Sequence, residues 1–182
     1  MPPNLLNYLL YQTGWLAAVV GASRGHPWLG MNVALALLGA HLALTNPRRS
    51  ELTLVLVSGL MGLVVDSLLV AMGLLRFPSG SVVSWLCPPW IIAMWMQFAT
   101  TLRFSLEWIG RRLIVAVVFG ALGGPLAYVI GERLGAVELG APPAMTPLVL
   151  GTMWAGAVPM LSALAGRDPR PYYQRLTSAP RE

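Results

Sequence analysis

Six stretches of this chain are each long and apolar enough to cross a bilayer, and almost no charge interrupts them. A hydrocarbon core about 30 Å thick takes roughly 20 residues of helix at about 1.5 Å per residue. The stretches fall at 4–22, 27–45, 52–75, 85–102, 113–131 and 145–165. Between them lie turn-forming segments: Ser23 to Pro27, Asn46 to Glu51, Arg76 to Ser81, and Gly140 to Pro143. Only backbone that satisfies its own hydrogen bonds can occupy hydrocarbon, so the predicted fold class is all-α. Residues 1–166 are expected to form a compact bundle of six transmembrane helices, with 167–182 as an Arg-rich cytoplasmic tail.

Composition narrows the function classes. Of 182 residues, 56% are hydrophobic and 10% charged, whereas a soluble domain carries about a quarter charged residues. That excludes a soluble globular enzyme and a disordered chain. It also excludes a nucleic-acid partner, despite a net charge of +5. The single cysteine, Cys87, rules out an intrachain disulfide and a multi-cysteine metal site. No metal and no cofactor are expected. All twelve basic residues are arginine, as a GC-rich bacterial genome would produce.

The arginines also orient the chain. Nine of them (48, 49, 103, 111, 112, 167, 170, 175 and 181) fall on one side of the predicted bundle, and Arg24, Arg76 and Arg133 fall on the other. The positive-inside rule then places both termini in the cytoplasm of a multi-pass protein of the bacterial inner membrane. The first stretch lacks a basic start and contains Asn7 and Gln12, so it reads as a retained helix and not a secretory leader. After the fourth stretch, Arg103 and Glu107 are spaced to pair, and Trp108 suits a headgroup layer. Trp85 and Trp90 read as an aromatic belt on the opposite side, next to the helix start at Pro88-Pro89.

Polar groups inside apolar spans carry the functional question. Asp66 lies slightly past the midplane of the third stretch, where a carboxylate costs about 2.5–3.5 kcal/mol on insertion scales. It therefore needs hydrogen-bonding company. Gln12, Asn32, Gln97 and Tyr128 lie at comparable depths and are the expected partners. The outcome is either an interhelical lock or a carboxylate that meets a proton or a ligand. His41, near a helix end, reads as an interfacial hydrogen-bonder, and Glu51 as a charge complementing the start of the third helix. Pro125 and Pro159 fall mid-span and are expected to kink the fifth and sixth helices. The carbonyl of Ala121, freed by Pro125, then needs a partner or a cavity.

Several short motifs carry a family resemblance over about residues 4–165. They are Tyr11-Gln12-x-Gly14-Trp15 after Asn7, Gly62…Asp66 with Gly73, Pro89-Trp90, and Phe98-Ala99-Thr100-Thr101-Leu102 with Trp108. The most specific is Gly123-Gly124-Pro125-Leu126-Ala127-Tyr128, followed by Gly131 and Leu134-Gly135-Ala136. In these the sequence resembles a family of small bacterial integral membrane proteins catalogued as domain of unknown function 2878. The resemblance implies work on or near membrane lipid, because genes of that family lie beside genes for lipid modification such as cyclopropane-type fatty acid synthesis. It supplies no catalytic residue. It does draw attention to Gln12, Trp15, Asp66, Trp90 and Tyr128. The expected function is binding or transport of a lipid or small amphiphile in a cavity between kinked helices. The alternatives are a membrane-embedded lipid-modifying enzyme, with Asp66 as acid/base and Tyr128 or His41 as helper, and a non-catalytic partner subunit of such enzymes. Membrane lipids are the expected partners, and protein partners stay open.

Overall fold

A computed structural model describes residues 2–140, 142, 144–167 and 172–173. Most of the expected tail, including Arg170, Arg175 and Arg181, lies outside the described residues. Six α-helices occur among those described: α1 (Pro3–Ser23), α2 (Pro27–Leu44), α3 (Arg48–Ala71), α4 (Pro89–Thr101), α5 (Leu113–Arg133) and α6 (Met145–Ala165). A single 3-10 turn, Ile109–Arg111, precedes α5. Two-residue strands tie the loops together at both ends of the bundle: β1 (Thr45–Asn46) pairs antiparallel with β4 (Tyr172–Tyr173), and β2 (Leu75–Arg76) with β3 (Glu138–Leu139).

Four helices, α2, α3, α5 and α6, are long and apolar enough to cross a membrane. Helix α1 has the length, but Asn4, Asn7, Gln12 and Thr13 lower its mean hydropathy. Helix α4 has 13 residues, or about 20 Å of rise, and begins at Pro89 where the fourth apolar stretch begins at 85. Pro89 suits a first helical turn, where its missing N–H leaves no bond unmade. Helix α3 starts four residues earlier than its stretch, at Arg48, and stops at Ala71. Gly73, with φ 69°, takes the left-handed conformation that closes it.

Consecutive helices pack as three antiparallel hairpins, each fitted through small residues. Ala18 on α1 lies against Gly30 on α2. Ser58 on α3 donates to the Trp95 carbonyl on α4 at 2.7 Å. Gly120 on α5 presses on the Trp154 backbone of α6, so closely that a Cβ there would collide with a carbonyl. This is how membrane helices associate when no hydrophobic force distinguishes protein from lipid. The Ala121 carbonyl, deprived of its helical donor by Pro125, faces Gly151 of α6, where an added Cβ would stand 3.0 Å away. Helices α5 and α6 run without interruption through Pro125 and Pro159.

The outer surface is apolar, with Leu113, Ile114, Leu122 and Leu148 all at least two-thirds exposed. Polar side chains are inside: Asn7, Glu51, Ser58, Asp66 and Gln97 are buried. Helix α4 is the inner post of the bundle. It packs on α1, α2 and α3 and buries nine of its residues, among them Trp90, Trp95, Gln97 and Phe98.

Candidate functional site

Asp66 is fully buried on α3, and both of its oxygens accept hydrogen bonds. Trp95 Nε1 donates to Oδ2 at 2.6 Å from α4. The Tyr128 hydroxyl donates to Oδ1 from α5. The Trp95 N–H can only donate, whereas the Tyr128 hydroxyl can donate or accept. Local sequence makes the Trp95 contact fit: Gly62, one turn before Asp66, leaves the space that the Trp95 ring fills.

From Trp95 the aromatic system continues outward. The Trp154 ring of α6 stacks on it at 4.3 Å between centroids and 21° between planes. Trp154 fits because Gly124 on α5 offers no side chain beneath it. Phe98 meets Trp154 edge to face at 5.3 Å, and Tyr11 of α1 meets Phe98 at 6.4 Å. Such edge and offset contacts are the favoured geometries for aromatic quadrupoles. Trp154 Nε1 is buried with no acceptor among the described residues.

These rings wall a cavity of about 50 Å³ between α1 and α4 on one side and α5 and α6 on the other. That volume exceeds the ~10–15 Å³ that holds one water. Of fifteen lining residues eight are aromatic, which makes the cavity a place for flat or apolar groups. At the end of the bundle where α3 stops and α4 starts, the buried loop residues Phe77, Ala136 and Val137 complete the wall. A second void of about 80 Å³ shares Tyr11, Phe98, Ala127 and Trp154 with it and extends along Gly120 and Gly124 of α5.

The expected site residues divide. Trp15, Trp90 and Tyr128 line the cavity, and Asp66 stands directly behind Tyr128 and Trp95. Trp90 is 2% exposed, so it is part of the inner wall and not of an interfacial belt. Its Nε1 donates to the Ser79 carbonyl at 3.3 Å. The amides are not Asp66's company. Gln97 Nε2 donates to the Ala34 carbonyl at 2.9 Å, in the α2–α4 contact. Asn32 is exposed and Gln12 half-buried. Depth along the membrane normal placed these groups level with Asp66, but rotation about each helix axis turned them elsewhere. Trp95 and Trp154 are the residues that depth alone missed. Their one visible signal is that both are tryptophans in mid-helix, away from the interfacial positions that tryptophan favours.

A second polar cluster lies near the other end of α3. Glu51 is fully buried; it accepts from Arg103 at 3.3 Å and lies 3.0 Å from His41 Nε2. Arg103 also donates to Ser50 Oγ at 2.6 Å, and Thr45 Oγ1 lies 3.4 Å from His41 Nε2. Nearby, Asn7 of α1 donates to the Thr100 carbonyl at 3.1 Å and accepts from Ser105 Oγ at 2.7 Å. His41 is thus a buried partner of Glu51, on a different cluster from Asp66. Among the described residues no three His, Cys, Asp or Glu side chains gather in a way that could hold a metal.

A family model described as "Protein of unknown function (DUF2878)" matches residues 4–160. No curated protein and no solved structure matches the chain.

Proposed function

We propose a function from the site itself, since the chain belongs to this DUF2878 family, described only as of unknown function: a multi-pass membrane protein that binds or transports a lipid or small amphiphile in the aromatic cavity. In this reading all six helices cross the bacterial inner membrane, with short α4 shielded by its neighbours, and both termini face the cytoplasm. The carrying observation is the wall: aromatic surface drawn from α1, α4, α5 and α6, backed by the carboxylate of Asp66. Binding sites are built from apolar walls with few placed polar groups, and an intramembrane carboxylate is a functional group by default.

The test is equilibrium binding of a radiolabelled decyl-chain amphiphile to the protein in dodecyl maltoside micelles. Saturable binding near one per chain is expected. Ala127 lines both voids, so Ala127→Trp should fill them and abolish that binding. Saturable binding that survives Ala127→Trp with the fold intact overturns the proposal.

A second reading, a membrane enzyme acting on lipid, is favoured by the Asp66–Tyr128 contact. Tyr128 lines the cavity and touches the carboxylate, so its hydroxyl is placed to pass a proton between the two. His41 has no part in it, being held at Glu51.

A further inference from the structure

The wall and the group behind it define which polar end the ligand carries. Aromatic rings present negative faces, and cations bind over them. No basic side chain lines the cavity. The carboxylate behind it receives hydrogen bonds from Trp95 and Tyr128, both neutral donors and both part of the cavity wall. Asp66 therefore stands one side chain away from the open space, with wall donors that orient its charge without cancelling it. An anionic head would meet repulsion from Asp66 and from the ring faces. A neutral head would leave the carboxylate uncompensated in a medium of low dielectric. A positive head satisfies both surfaces at once.

We infer that the aromatic cavity between α1, α4, α5 and α6 takes the ammonium head of a net-cationic amphiphile, caged by ring faces and countered by Asp66. This deepens the binding reading above and rests on it. A zwitterionic phosphocholine head fits less well, since the cavity offers no cation for its phosphate.

The experiment compares decyl-chain ligands in dodecyl maltoside micelles: decylammonium, whose one-nitrogen head suits a cavity of about 50 Å³, its neutral carbon isostere undecane, and decylphosphocholine. Decylammonium should bind about tenfold tighter than the isostere, the scale of a desolvated cation–π contact. It should also bind tighter than decylphosphocholine. Asp66→Asn should erase the preference while leaving the isostere's affinity in place. Trp15→Leu removes a ring face, leaves the carboxylate alone, and should weaken only the ammonium ligand severalfold, so the outcome does not hang on the Asp66 variant folding. Equal affinity for ammonium and isostere, or for ammonium and phosphocholine, overturns the inference and leaves the cavity reading standing. Saturable binding of none of the three overturns the cavity reading itself.

Discussion

Helix α3 buries an acid toward each end, and the two are compensated in opposite ways. Glu51 is held by Arg103 and faced by His41, with Ser50 accepting from Arg103 and Thr45 lying against His41. Its charge is answered within the fold, and the cluster ties α2, the start of α3 and the segment after α4 together. Asp66 is held by an indole N–H and a phenol O–H, and both donors line the aromatic cavity. A buried acid with its own arginine is a structural joint. A buried acid left with neutral donors beside a cavity is the one on which the proposed binding depends.

This contrast can be broken by substitution, most strongly at Glu51. Glu51→Gln removes the buried ion pair with Arg103, and breaking such a pair costs about 3–5 kcal/mol. Denaturant unfolding in detergent should show that loss. A variant as stable as the parent would remove the claim that the cluster is structural. Asp66→Asn strands no cation and keeps the side chain's shape, so its cost should be smaller, about 1–3 kcal/mol for impaired hydrogen bonds. The same unfolding measurement ranks the two. If Asp66→Asn proves the more damaging, Asp66 is the structural joint and the comparison inverts.

The smallest effect belongs to an ion pair outside the membrane segments. Arg76 Nε and Glu138 Oε2 lie 2.6 Å apart across β2 and β3, with the side chains 76% and 49% exposed. The hydrogen bond from Arg76, then its charge, holds the Glu138 carboxyl below the ordinary glutamate range. A lowered folded-state pKa contributes stability above the unfolded value, and that contribution is lost as pH falls through the lowered one. Glu138→Gln should therefore shift the melting temperature barely at neutral pH and not at all once the carboxyl is protonated. A large shift at either pH would show that this exposed pair does what only the buried one is expected to do.

Much of the architecture was legible because hydrocarbon permits few solutions. Asp66 stands out as a charge deep in an apolar run, but depth alone offers Gln12, Asn32 and Gln97 as partners on equal terms with Tyr128. Glu51 was harder. In sequence it is a helix-start acid of ordinary kind, and its partner Arg103 lies 52 residues away, spaced to pair with Glu107. Trp95 and Trp154 are not legible as site residues because tryptophan in a membrane chain reads first as an interfacial anchor. Only the absence of side chains at Gly62 and Gly124 reveals that the two rings stack inside.

By itself the sequence determined an all-helical membrane-type chain, the helices' approximate places, and the one deep carboxylate. These follow from the cost of placing polar backbone and charge in hydrocarbon, which is read residue by residue along the chain. The tertiary structure alone decided which way each helix turns about its axis. That rotation sent Gln97 to Ala34, Trp90 into the wall and Trp95 to Asp66. It depends on which small residues let which neighbours approach, and no single helix carries that information.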